Sequence, residues 1–258
     1  LCGSNYSTST FNVSRYQKKR RKNSIVCRML SGGMSQTRIA RELHLNRKTV
    51  ARMMQIEALK AEFRQKRENL KRRARLVQFD DLETFEQTKC KPLSITLAVE
   101  EGTRRILGVE VSQMPAKGKL AQKSRELYGE RRDERAIGRR NLFRKIRPLV
   151  HEEVIVKSDA NPHYQKSLEK HLPSAKHVTY KSRRARRNGL GELKKGRFDP
   201  LFSLNHTCAM LRANVNRLFR KTWCTTKKAD RLYAHLALYI DYHNRRLIPA
   251  TPLERFNI

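Results

Sequence analysis

The segment Val77-Gln78-Phe79-Asp80-Asp81-Leu82-Glu83-Thr84-Phe85 sets three carboxylates, Asp80, Asp81 and Glu83, on a short hydrophobic stretch of a strongly basic chain. An isolated carboxylate inside a sheet is costly unless a cation pairs with it, so Asp80 reads as a divalent-metal ligand. The plainer alternative is a solvated acid on an edge strand. A second acid follows the apolar run Val154-Ile155-Val156, which leads into Lys157-Ser158-Asp159-Ala160-Asn161-Pro162. A strand that ends in Asp presents its carboxylate at the edge of a sheet. Asp159 would also serve as the cap of a helix over 162–172, with Asn161 next to a helix-starting Pro. Taken with Asp80, the ligand reading is preferred.

Those two acids need a sheet to carry them. Residues 92–99 alternate Leu93, Ile95, Leu97 and Val99 with smaller or polar residues, the period of a half-buried strand. A Gly-containing turn, Glu100-Glu101-Gly102-Thr103, separates them from Leu107, Val109 and Val111, so a hairpin is expected. With 76–85 in front, three consecutive antiparallel strands result. Residues 114–135 form a polar insertion without clear period, a loop or a partly helical excursion. Leu142, Phe143, Ile146 and Leu149 have helical spacing. After the strand at 154–156 and the helix at 162–172, residues 177–180 read as a fifth strand, parallel to the fourth through the crossover. The C-terminal part is helical: Leu204, Leu211, Val215, Leu218 and Phe219 share one face, and Ala229 to Asn244 carries Leu232, Leu236, Tyr239 and Ile240. Trp223 and the tyrosines of this region read as core rather than as base-stacking platforms.

The chain is 258 residues long, enough for one large or two modest domains. Its 58 Lys and Arg against 24 Asp and Glu give a net charge of +34. Such a charge exceeds what a small acidic metabolite requires and points to a polyanion, nucleic acid ahead of a membrane surface. No run approaches a membrane-spanning length, so a soluble, cytoplasmic or nucleoid-associated protein without a membrane partner is expected. Five dispersed cysteines argue against a disulfide framework. Cys2-Gly3 reads either as the last ligand of a truncated Zn²⁺ ribbon or as an ordinary thiol.

The basic run Lys18-Lys19-Arg20-Arg21-Lys22 can neutralise phosphates without reading sequence. An apolar helix pattern follows at Ile25, Val26, Met29 and Leu30, ended by Gly32-Gly33. Ser35 then looks like the N-cap of a helix over Gln36 to Leu43, and Asn46 like the N-cap of the next, with Val50, Met53 and Met54 inward. Two short helices joined by a tight turn, the second opening Asn46-Arg47-Lys48-Thr49, suggest a helix-turn-helix. Its second helix would offer Arg47, Lys48, Thr49 and Arg52 to the major groove; a plain helical hairpin with basic residues facing water is the alternative. Ser14 to Leu76 holds 20 Lys or Arg against 4 Glu, in keeping with DNA binding. A third basic stretch, 181–197, has eight Lys or Arg, including Arg183, Arg184, Arg186 and Arg187, with Gly189, Gly191 and Gly196. It reads as a cationic loop that tracks a phosphate backbone.

The order hairpin, helix, strand with Asp, helix, strand, helix is that of an RNase H-like fold. Asp80-Asp81-Leu82-Glu83-Thr84-Phe85, Ser158-Asp159-Ala160-Asn161-Pro162-His163-Tyr164, and Leu211-Arg212 followed by Arg217-Leu218-Phe219-Arg220-Lys221-Thr222 resemble motifs of bacterial insertion-sequence transposases. The group is the insertion element 1-like one, in which a zinc ribbon and a helix-turn-helix precede a DDE catalytic domain. The resemblance implies a division into a basic leader at 1–22, a helix-turn-helix domain with a linking helix at 23–74, and an RNase H-like α/β domain, a mixed sheet with flanking helices, at 75–258. It implies recognition of the element's terminal repeats, then two-metal DNA cleavage and strand transfer by a homo-oligomer joining two ends in the bacterial cytoplasm. Asp80 matches the first catalytic Asp and Asp159 the second. The third position departs from the pattern: roughly two helical turns before Leu211-Arg212, where the family has Glu, this chain has Asn205. Three readings stay open. Asn205 is an unusual third ligand, Glu192 or Asp199 fills the role, or the protein is a decayed transposase that acts as a DNA-binding protein or repressor.

Overall fold

The computed structural model describes residues 7–181, 199–219 and 222–248. Five strands form one mixed sheet in the order β3-β2-β1-β4-β5, where β1 is Ala74–Phe85, β2 Pro92–Glu100, β3 Ile106–Gln113, β4 Val150–Asp159 and β5 Lys176–Tyr180. β1, β2 and β3 are antiparallel neighbours, whereas β4 runs parallel to β1 and β5 parallel to β4. The expected α/β architecture, a mixed sheet with helices on its faces, is what the chain adopts.

Each face of the sheet has its own core. On one side Val77, Phe79, Ala98, Leu107 and Val156 pack under helices α5 (Arg135–Ile146) and α6 (Pro162–His171), through Leu142, Phe143, Ile146, Tyr164 and Leu168. On the other, Leu82, Leu93, Ile95, Leu97 and Val99 meet α7 (Phe202–Asn214) and α8 (Ala229–Tyr242), through Leu204, Leu211, Leu232, Leu236, Tyr239 and Ile240. The alternation along β2 therefore has a meaning other than wet against dry. Ser94 and Thr96 are fully buried, because β2 is an interior strand covered on both faces. What alternates is large against small: α5 comes so close at Gly138 that a Cβ there would lie 2.1 Å from Ser112 Oγ. The strand at 154–156 is longer than its apolar centre, since the polar residues that open it, His151, Glu152 and Glu153, are exposed but still extended. Within the polar insertion, Leu120–Tyr128 forms the helix α4.

Upstream of the sheet lie α1 (Asn23–Ser31), α2 (Gln36–Glu42) and α3 (Arg47–Asn69). The Ser35 hydroxyl accepts from the Arg38 amide at 3.2 Å and the Asn46 side chain from the Lys48 amide at 2.8 Å, so both residues cap the helices that follow them. Between them His44 takes a left-handed φ of 50°, which lets the Leu45 amide reach back to the Ala40 carbonyl and buries Leu45. Val26, Leu30, Ile39, Val50, Met53 and Met54 form a core that also includes Leu238 of α8. The long α3 lies along α8, where Ala58, Ala61 and Ala237 are buried. Arg64 grips Asp241 with two nitrogens at 3.2 and 2.8 Å, and Gln65 donates to the Ala237 carbonyl at 2.7 Å. The helix thus ties the N-terminal helices to the layer that covers the sheet.

Candidate active site

Parallel pairing of β1 with β4 brings the two aspartates together. Gln78 is in register with Lys157, and two residues further along each strand stand Asp80 and Asp159. Parallel strands in register point paired side chains to the same face, with neighbouring strands about 4.8 Å apart, so the two carboxylates share one face of the sheet. It is the face that α7 covers, since Gln78, of the same parity as Asp80, bonds to the start of that helix.

Asp80 is held from two sides. Its Oδ1 accepts from the Tyr164 hydroxyl at 2.8 Å and from the Asp81 amide at 2.7 Å. The other carboxylate oxygen, Oδ2, has no hydrogen-bond partner among the described residues. Burial pushes the Asp80 carboxyl up to about 6; Tyr164 and the Asp81 amide oppose the shift, and the charges of Asp159 and Asp81 add to it. Tyr164 itself is driven well above the usual phenol range, first by burial and then by the Asp81 and Asp80 charges, so it remains a hydrogen-bond donor. Its ring packs on Phe79 with centroids 4.7 Å apart.

Asp159 ends β4 and accepts from the Asn161 amide at 3.1 Å. The cap of α6 is Asn161, whose side chain accepts from the His163 amide, and not Asp159. A strand that stops two residues before the helix leaves the Asp at its mouth and gives the capping position to the Asn beside Pro162. Asp81 and Glu83 do not join the pair. Alternation turns Asp81 to the α5 face, where it accepts from Thr96 at 2.5 Å and from Arg139 at 3.3 Å. Arg139 is buried and Asp81 largely so, with 8% and 12% of their side-chain surface exposed. Glu83 is exposed and pairs with Lys117 at 2.7 Å.

Helix α7 is fastened over this site by Gln78, which is 1% exposed. Its amide donates to the Pro200 carbonyl at 3.0 Å and accepts from the Leu204 amide at 2.9 Å, acting as an N-cap supplied by a strand. On the flank next to the β2–β3 turn, Ser203 accepts from the Gly102 amide and His206 lies 3.2 Å from Arg104. At 100° per residue, Asn205, Cys208 and Arg212 fall on the opposite flank. The Cys208 thiol is pushed up to about 12, by burial first and by the Asp80 charge next, so that flank adjoins Asp80. Asn205 is exposed, and its amide nitrogen donates to Asp199 Oδ2 at 2.9 Å. Asp199 Oδ1 accepts from the Leu201 amide, so both Asp199 oxygens are engaged in starting α7. Among the described residues no group of three His, Cys, Asp or Glu side chains converges as a metal site. Asp80 and Asp159, two carboxylates on one face with one of them raised by burial and a like charge, are the residues that could hold a divalent cation.

The candidate DNA contacts lie elsewhere. Lys18, Lys19, Arg20 and Arg21 are exposed on the turns ahead of α1. Arg47, Lys48 and Arg52 are exposed on the first turns of α3, with Thr49 half-buried and no carboxylate partner for any of the three cations among the described residues. Arg183, Arg184, Arg186, Arg187 and Glu192 lie outside the described residues, as does Cys2. Sequence reasoning did not mark Gln78, Arg139 or Cys208 as part of the site. Tyr164 closes the motif that begins at Ser158, but only its hydroxyl position gives it a role. Trp223, expected in the core, is 78% exposed, whereas Tyr239 is fully buried. No protein-family model matches the chain, and neither does any curated protein sequence.

Proposed function

We propose that this chain is a DNA transposase whose Asp80 and Asp159 hold the Mg²⁺ or Mn²⁺ for cleavage and strand transfer at the ends of an insertion sequence. The observation that carries this reading is the pair of carboxylates on adjacent parallel strands, with Asp80 raised to about 6 by burial and by its neighbour's charge. The strand order and directions are compatible with an RNase H-like fold, and a net charge of +34 suits a DNA substrate. Bound divalent ions would activate the attacking oxygen and stabilise the leaving one in an in-line displacement. The chain's own residues set that site. Tyr164 and the Asp81 amide fix one oxygen of Asp80 and leave the other for the cation. Arg139 holds Asp81 on the far face, which keeps a third negative charge out of the opening. Gln78 docks α7, with Asn205 on the flank beside it as a neutral oxygen donor.

The helix-turn-helix reading of α1 to α3 belongs to the same proposal. Capped by Asn46, α3 presents Arg47, Lys48 and Arg52 to solvent, as a recognition helix must. Two element ends have to be joined, so a homo-oligomer in the bacterial nucleoid is the working assembly. Substituting Asp80→Ala or Asp159→Ala is expected to abolish Mg²⁺-dependent nicking and strand transfer on the element's terminal repeats while end binding persists. Strand transfer retained by either variant would sink the assignment. One observation favours a second reading, a DNA-binding relic of such an enzyme: the third position is the uncharged Asn205, engaged with Asp199. Mg²⁺-dependent nicking by the unaltered protein excludes that reading.

A further inference from the structure

Helix α3 is apolar on two opposite sides, and the fold covers one of them. Ala58 and Ala61 are buried where α3 lies along α8, and Gln65 donates to the Ala237 carbonyl on that same side. At 100° per residue, Ile56, Leu59, Phe63 and Leu70 fall on the far side, within about 60° of one another. Leu59 is 45% exposed, Phe63 72% and Leu70 54%, with Ile56 half-buried. Leu70 prolongs the stripe because its backbone, at the C-cap, is still helical. A single exposed apolar residue is ordinary on a protein surface. A line of them along a helix whose other side is already packed marks a face that a partner covers.

The spacing and the charges identify that partner. From Ile56 the stripe steps by 3, 4 and 7 residues, the a and d positions of a heptad repeat, with Lys66 at the remaining d position. Such a seam packs on a helix that carries the same repeat, and the flanks of α3 suit a second copy of itself. Glu62 takes the g position and Arg67 the e position five residues later. In a parallel pair g of one helix meets e of the other, so Glu62 faces Arg67 of the second copy on both sides of the seam. In an antiparallel pair g meets g and e meets e, which sets like charges together. The charges therefore select the parallel arrangement. Arg67 is exposed, and its contact within the chain, with Glu68 at 3.9 Å, is loose. Parallel pairing also brings the basic first turns of two α3 helices, with Arg47, Lys48 and Arg52 exposed, to the same end of the assembly.

We propose that a second copy of this chain docks in parallel on the Ile56, Leu59, Phe63 and Leu70 side of α3, through apolar contacts and Glu62–Arg67 pairs between copies. This rests on the homo-oligomer of the reading above and names its surface, but it requires neither DNA nor metal. Sedimentation equilibrium of the full chain from about 1 to 300 µM should show monomers exchanging with dimers. Phe63→Asp, at an exposed position, should weaken dimerisation at least about thirtyfold. Glu62→Arg alone should weaken it roughly five- to thirtyfold, and adding Arg67→Glu should restore it, because the parallel pairs are then reversed rather than broken. Thermal melting of each variant at low concentration establishes that the fold is intact. A monomer throughout that range, or a dimer indifferent to Phe63→Asp, overturns the proposal. A double variant no better than Glu62→Arg overturns the parallel pairing and the proposal with it. Anisotropy with a labelled duplex, measured separately, decides the DNA reading, so either can fail while the other stands.

Discussion

Replacing Asp80 by Asn should make the metal-free protein more stable at neutral pH, although it removes a residue proposed to hold the cation. The amide is nearly isosteric, and its oxygen can still accept from Tyr164 and the Asp81 amide, which now bond to Oδ1 at 2.8 and 2.7 Å. What disappears is a charge that burial, Asp159 and Asp81 all disfavour, as the rise of the carboxyl from 3.8 to about 6 records. Two pH units correspond to about 3 kcal/mol. That rise is already net of the bonds from Tyr164 and the Asp81 amide, which favour the charged form, so the gain is about 3 kcal/mol. For a chain of this size that raises Tm by roughly 6–12 °C. The folded carboxyl is raised, so wild-type stability is highest below the unfolded value near 3.8 and declines as pH climbs through about 6. The advantage of Asn is then complete above about pH 6 and fades to nothing near pH 4. Calorimetric melts of both proteins from pH 4 to 8 in chelator measure it directly. Adding Mn²⁺ should reverse the order at pH 8, raising Tm for the wild type and not for Asp80→Asn. An Asn variant less stable than the wild type at pH 8, or a gain that does not depend on pH, would refute the argument.

Three further outcomes follow from other interactions. Arg139→Met leaves the buried Asp81 carboxylate without its cation and should cost about 3–5 kcal/mol in urea unfolding, a loss that adding Asp81→Asn recovers in large part. Gln78→Leu strands the Leu204 amide and the Pro200 carbonyl, so a loss of about 2–4 kcal/mol is expected, together with faster hydrogen exchange at the start of α7. Replacing Arg47, Lys48 and Arg52 together by Ala should flatten the salt dependence of duplex binding, by about 0.9 in log–log slope for each phosphate that is no longer neutralised; an unchanged slope assigns the phosphates to other cations.

Much of the local structure was legible in the chain. Ser35 and Asn46 cap their helices as their positions suggest, because a capping side chain and the amide it serves lie within three residues. The hairpin of β2 and β3 and the Asp at the end of β4 could be found for a similar reason, since alternation and turn chemistry act over short windows. Where local signals competed, geometry chose. Asn161 rather than Asp159 caps α6, and β2 proved buried on both sides, a fact that depends on which helices come to cover it.

The sequence by itself determined the elements, the charge and the strand positions of Asp80 and Asp159. Only the tertiary structure set β4 beside β1 in parallel register, so that these two acids, distant in the chain, share a face while Asp81 turns away to Arg139. It also gave Gln78 its hold on α7, laid α3 along α8, and left Trp223 exposed above two buried threonines. The physical reason is the range of the forces involved. Backbone hydrogen bonds, caps and side-chain periodicity are decided between near neighbours, whereas the partner of a buried charge or an apolar face is decided by the packing of whole surfaces brought together from far along the chain.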